Sequence, residues 1–344
     1  MSFWKTLPKP IIGLSPMDGI TDMPFREIVA KVSKPSVIFT EFVNAKGLFL
    51  GNIKLYNHLL FSTRERPIIG QLFGAEPEYF YKAAHILCEL GFDGIDINMG
   101  CPANTVVNKN GGASLIKQPK LALEIIKQTK LGVRDWYNGQ SLENLDLDKE
   151  KIAWIQEHKQ DKDRQIVPVS VKTRLGYNKN TIDSWIITLL KAKPEAIIVH
   201  GRTFSQLYHG TANWEAIGSI AAKVRSVGIT YLGNGDITSK DEAIQKIQTY
   251  QLDGVLIGRA ACGNPWIFSD YKPTIKKRLQ VALEHIKCNR AIKGSTGVNE
   301  LKKHLSWYCK GFDQAKTLRT NLMEVKQYSD FISLLENAII TYSL

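Results

Sequence analysis

The sequence predicts an α/β protein, a (β/α)8 TIM barrel followed by a small all-helical region, on three observations. Eight short apolar runs alternate with helix-patterned segments over about 260 residues. No G-x-G-x-x-G turn follows the first run, which counts against the competing open, doubly wound sheet. Beyond Tyr271 the runs stop, and apolar residues fall at helical spacing, as in Leu279, Leu283 and Ile286 or Leu301, Leu305 and Tyr308. The boundary is expected near Lys272-Pro273, with a catalytic barrel over residues 1–271 and a helical domain over 272–344.

Taken in order, residues 11–15 read as the first strand, ending at Pro16-Met17-Asp18-Gly19. Asp22-Met23-Pro24 opens a helix, since proline near a helix start gives up an N–H that has no partner there. The second and third strands are 37–41 and 67–72; a helix follows, opened by Glu76-Pro77 and closed by Gly91. The fourth strand, 94–97, is apolar apart from Asp96 and runs into Asn98-Met99-Gly100-Cys101-Pro102. A helix is expected over 119–131. Residues 135–164 are polar and mixed in charge, and read as a surface insertion with one short helix at 152–158. The fifth strand is 167–172, followed by a helix over 181–192. The sixth strand is 196–200, with a helix over 214–227. The seventh is 229–234, followed by a helix whose Ser239 and Glu242 have capping-box spacing, and the eighth is 254–258.

Composition narrows the class. At 44% hydrophobic and 23% charged, the chain is that of a globular protein, and no apolar run nears the roughly 18 residues that span a bilayer. The first ten residues lack an apolar signal core, so a cytoplasmic location is expected, with no membrane partner. Five well-separated cysteines suit reduced thiols, with no metal site. A monomer is expected. The net charge is +12, and residues 272–344 carry 13 Lys/Arg against 6 Asp/Glu. A basic tail on a nearly balanced body suits a polyanionic partner, or a solvated basic cap with no partner.

The polar residues converge. Asp18, Gln71, Asn98, Cys101, Lys172, Arg174, His200, Asn234, Asp236 and Arg259 all lie at or just past the C-terminal ends of strands. In a barrel those ends form one face, the one that holds active sites. Glycine-rich turns at Gly235 and Gly258, with Arg259, suit a phosphate. Gln71 offers a donor and an acceptor in one plane to a flat heterocycle, and Lys172 a positive charge to an anionic reduced flavin. A flavin mononucleotide fits this set better than a dinucleotide. Cys101 is either a reactive thiol or, like most free cysteines, a small buried hydrophobe.

The motifs Pro16-Met17-Asp18-Gly19, Gln71-Leu72-Phe73-Gly74, Asp96 to Pro102, Val171-Lys172-Thr173-Arg174-Leu175-Gly176, His200-Gly201-Arg202-Thr203, Asn234-Gly235-Asp236 and Gly258-Arg259 resemble the tRNA-dihydrouridine synthase family. The helical tail, with His304-Leu305-Ser306-Trp307-Tyr308, is similar too, and the resemblance spares only 135–164. It implies FMN held by Pro16, Met17 and Asp18 through their backbone and by Gln71, Lys172, His200, Asn234, Gly235, Asp236, Gly258 and Arg259. It also implies Cys101 as proton donor, and Asn98 and Arg174 near the uracil. The implied reaction reduces selected tRNA uridines to 5,6-dihydrouridine, with hydride to C6 from reduced FMN, a proton to C5 from Cys101, and NADPH (or NADH) as reductant. One departure is Asn104, where many members carry lysine two residues after the proline. Two other readings are an FMN barrel acting on a free pyrimidine and a non-catalytic RNA-binding barrel. The basic tail argues against the first, the intact Cys101 and flavin set against the second.

Overall fold

The computed structural model describes residues 2–342 and contains a closed barrel of eight parallel strands in sequence order. The strands are β1 Ile11–Leu14, β2 Ile38–Asn44, β3 Ile68–Phe73, β4 Gly94–Met99, β5 Val169–Arg174, β6 Ala196–His200, β7 Thr230–Asn234 and β8 Gly254–Ile257. Among the helices are α1 Phe3–Thr6, α2 Met23–Val32, α3 Ala45–Leu50, α4 Pro77–Leu90, α5 Asn104–Val107, α6 Pro119–Tyr137 and α7 Lys149–His158. They continue with α8 Ile182–Lys191, α9 Trp214–Gly218, α10 Ala221–Arg225 and α11 Lys240–Thr249. The tail consists of α12 Ile275–Lys293, α13 Val298–Tyr308, α14 Ala315–Glu324 and α15 Tyr328–Thr341.

Local chemistry sets the helix ends. Asp22 caps α2 by accepting from the Phe25 N–H, with Pro24 in the first turn. Gly91 closes α4 at φ +85°, where a side chain would be strained. Ser239 caps α11 by accepting from Glu242 N–H, but Glu242 turns its carboxylate to the backbone N–H and hydroxyl of Thr238. Two donors on Thr238 compete with one on Ser239, so half of the expected capping box forms.

Alternation along the strands sorts the side chains into two cores. Ile11, Phe39, Ile69, Ala196, Ile198, Leu232 and Leu256 cluster together inside the barrel, joined by Trp4 from α1, which closes its N-terminal end. Ile95, Ile97, Val169, Val171, Ile197 and Val199 belong to or line the buried layer that faces the helices. A third core, in the tail, includes Ile28 of α2 and Trp266, so the four C-terminal helices are packed onto the barrel through apolar residues of both.

Three expectations are corrected. The helix expected over 119–131 extends to Tyr137, because Val133 and Trp136 continue the buried stripe of Ala122, Ile125, Ile126 and Thr129. The segment 135–164 is not a superficial insertion: Leu142, Leu145, Leu147 and Ile155 join the main core, and Lys151 is 3% exposed, donating to Phe49 O. Isolated apolar residues among charges conceal this packing from a reading of composition. The helix expected over 214–227 is two short helices, α9 and α10.

Candidate active site

Parallel register stacks the inward-facing polar residues in rungs. Gln71 lies beside Asp96 and Asp96 beside Ser170; one rung higher Asn98 lies beside Lys172; above that, Arg174 is beside His200 and His200 beside Asn234. Below them the interior is apolar. The polar rungs end in a cavity of about 1180 Å³ at the C-terminal face. Thirteen of the fourteen residues expected at the site line it; Gln71 alone does not.

Gln71 lies just beneath the cavity wall. It is fully buried, its Nε2 donates to Asp96 Oδ2 at 2.7 Å, and its Oε1 accepts from Asn98 Nδ2 at 3.0 Å. The planar amide expected to face a heterocycle is engaged on both sides by protein. Asn98 is likewise committed: its Oδ1 accepts from the backbone N–H groups of Gly100 (3.0 Å) and Cys101 (2.8 Å). This clasp makes the strand turn sharply, so that Cys101 lines the cavity instead of continuing into the wall. Met17 lines the cavity; its N–H donates to Thr21 Oγ1 at 2.9 Å and its carbonyl accepts from Ile20 and Thr21 N–H. Its backbone closes the turn after β1.

The charges at the mouth are organised by arginines. Arg174 donates through Nε to Gly100 O at 2.7 Å and through Nη1 to Thr203 O and Leu207 O, both at 2.9 Å. It binds the Cys101 loop to the loop after β6. Arg202, expected only as part of a motif, is 1% exposed and grips both carboxylate oxygens of Asp236 at 3.0 and 2.6 Å. Arg259 Nη2 reaches Asp236 Oδ1 at 2.8 Å. Burial works against the Asp236 charge, but hydrogen bonds from Arg202 and Ala212 and the charges of Arg202 and Arg259 hold its carboxyl below the usual range. Tyr208, which the sequence reading passed over, hangs over the cavity 60% exposed, with Arg174 and Arg259 5.9 and 5.6 Å from its ring.

Three groups are poised by their surroundings. Burial raises the Cys101 thiol above its ordinary value, so it carries its proton at neutral pH. His200 is held well below the usual histidine range by burial, then by Lys172, Arg174, Arg202 and Arg259, and is neutral. Lys172 has no hydrogen bond or ion pair among the described residues; burial, then Arg174, brings it down to about 8. At the rim, Asp18 is raised by burial and by Glu41, whose carboxylate accepts from Gly19 N–H at 2.6 Å and meets His58 Nδ1 at 3.3 Å. Glu41 on β2 and His58, 17 positions further on, brace the turn; no motif surrounds either, so neither was legible.

A parallel barrel whose polar rungs end in one deep cavity, with a protonated thiol, an unpaired lysine and a neutral imidazole on its wall, is built as an enzyme. The dihydrouridine synthase family model matches residues 13–135 and 148–342, and the chain belongs to that family. Similar proteins include "Probable tRNA-dihydrouridine synthase 1" of Synechocystis, 31% identical, with 96% of this chain and 86% of that one covered. "Probable tRNA-dihydrouridine synthase 2" of Bacillus subtilis is 30% identical over 98% of this chain and 96% of its own. A Staphylococcus aureus protein, "Probable tRNA-dihydrouridine synthase", is 31% identical over 97% and 95%. The unmatched stretch 136–147 is much shorter than the insertion expected from composition, and α7 lies within the matched region.

Proposed function

We propose that the protein reduces specific uridines of tRNA to 5,6-dihydrouridine, with FMN as resident cofactor, NADPH as its reductant and Cys101 as proton donor. The observation that carries this reading is the placement of Cys101 and Lys172 on one cavity wall in a chain of this family. The residues present suit FMN. No group among the described residues accepts from the backbone N–H of Gly235, Asp236, Gly258 or Arg259, which leaves four donors at the β7 and β8 turns for a phosphate. Among the described residues the Lys172 ammonium has no hydrogen-bond or ion-pair partner, and it would meet the negative edge of the ring system, while His200, neutral, would lie near it. Pro16, Met17 and Asp18 would form the wall, and Asn234 is fixed by donating to Leu256 O at 2.8 Å.

When bound, reduced FMN supplies the hydride for uracil C6. The chain supplies the rest. Cys101 Sγ holds the proton destined for C5, and Arg174 and Lys172 favour the thiolate left behind. A serine hydroxyl is too weak an acid to replace it. Asn98 and Arg174 act on the uracil chiefly by shaping the loops around it, since most of their polar groups are already bonded to protein. A uracil enters the cavity only if turned out of the RNA stack, which costs a few kcal/mol that contacts elsewhere must offset. The basic tail is the source of those contacts, gripping phosphates by shape and charge. Which uridine is presented then depends on how the tail orients the RNA.

The purified protein is expected to be yellow and to form dihydrouridine in unmodified tRNA with NADPH, leaving free uridine untouched. A colourless protein, or equal turnover of free uridine, overturns the reading. The Lys172 environment adds a pH signature. Its charge is present below about 8 and lost as pH rises through that value, so kcat/KM for tRNA should decline on that limb. Lys172→Arg should move the decline to higher pH, and an unchanged limb in that variant would show that another group titrates.

A further inference from the structure

Gln71 is tied into a chain of buried polar groups that ends at the catalytic loop. Ser170 Oγ donates to Asp96 Oδ1 at 2.6 Å, Gln71 Nε2 to Asp96 Oδ2 at 2.7 Å, and Asn98 Nδ2 to Gln71 Oε1 at 3.0 Å. Asn98 Oδ1 then accepts from Gly100 and Cys101 N–H. Ser170, Asp96 and Gln71 are fully buried, and Asn98 is 7% exposed, so water cannot substitute for a lost bond. The two ends of the chain have fixed chemistry. An ionised carboxylate only accepts, and backbone N–H groups only donate. Each amide between them could be turned either way, yet only one orientation of both satisfies the two ends together.

We propose that Asp96 is a positioning residue for the Cys101 thiol, setting through Gln71 and Asn98 the direction of the hydrogen-bond chain whose last two bonds hold the Gly100–Cys101 backbone. The inference rests on Cys101 being the proton donor. Like the Gly100 and Cys101 N–H groups at the other end, the carboxylate cannot be satisfied with the amides reversed. Reversal would point the Asn98 amide nitrogen at two backbone donors and release the loop. Asp96 touches neither the cavity nor any reacting atom, so its action is indirect.

The test moves the charge along the chain. In Gln71→Glu two carboxylates face each other, and the chain survives only while they share a proton. The tRNA reduction rate in this variant should fall with rising pH across a range where the parent is flat, by at least roughly tenfold. Asp96→Asn combined with Gln71→Glu places an amide where the carboxylate stood. That amide donates to the new carboxylate, which still accepts from Asn98, so the double variant should recover most of the rate and lose the pH dependence. Asp96→Asn with Asn98→Asp makes the same exchange one step further, against Asn98→Asp alone, and decides the matter if Gln71→Glu does not fold. The pH profile of Cys101 alkylation by iodoacetamide, read by mass spectrometry, should change in the single variants and return in the doubles. Reduction of bound FMN by NADPH does not use Cys101, so its rate is measured separately in each variant and the tRNA half-reaction is compared alone. Doubles as impaired as their singles, or single variants with the parental pH profile, overturn the proposal. Should the parent protein not reduce tRNA at all, the function proposed above fails, and the alkylation profiles still decide this inference.

Discussion

Cys101→Ala should purify yellow, accept electrons from NADPH at the parental rate, and lose turnover on tRNA by a factor of roughly 10² or more. The reasoning separates what holds the loop from what the thiol does. The Cys101 backbone is held by its N–H to Asn98 and by its carbonyl, which accepts from Ala113 N–H at 3.1 Å. Neither bond involves sulfur, so truncation to alanine leaves the turn in place. The thiol lines the open cavity instead of packing into the core, unlike Cys88 and Cys309, which are buried. Stability should therefore change little, while the proposed proton source for C5 is removed. Stopped-flow reduction of the flavin, followed by mixing with tRNA, separates the two half-reactions. Parental rates in the second half-reaction would assign the proton to another group.

The second large effect concerns the tail. Reversing charge at Lys303 and Lys310 should weaken tRNA binding on the order of 10²-fold at moderate salt, and reduce the slope of log affinity against log salt by about 2. Lys303 is the informative position because it sits at the junction. Its charge acts on both Asp18 and Cys262, and a Cβ at Gly19 would lie 3.5 Å from its Nζ. Lys310 and Arg259 also act on Cys262, so basic groups run from α13 to the cavity mouth. Removing the whole tail is a poorer experiment than charge reversal, since it would strip the apolar cover from Ile28 and Trp266 and break the Asp22–Lys293 contact at 2.6 Å. Filter binding across a salt series reads the outcome. Binding as tight and as salt-sensitive as the parent's would assign the RNA contacts to another surface.

Much of this molecule was legible before any coordinates. A parallel strand buried on both faces reads as a short apolar run, and turn residues mark its end, so all eight strands could be placed to within a few residues. The site's location followed from the same periodicity, because polar residues were confined to the ends of those runs. Other features left no local trace. Leu142, Leu145 and Leu147 look like scattered apolar residues in a charged stretch until the main core closes over them. Arg202 resembles any arginine after a strand, and only the fold brings Asp236 to meet it 34 positions later.

The sequence by itself determined the barrel, the face that carries chemistry and the thiol that stands there, because alternation, helix periodicity and turn chemistry act between residues close in the chain. Tertiary structure alone decided what each polar group is bonded to. Gln71 and Asp96 lie 25 positions apart, and Asp96 and Ser170 74, until the parallel register sets them on one rung. Hydrogen bonds reach only about 3 Å, so which amide faces a ligand and which faces its neighbour is settled when the barrel closes.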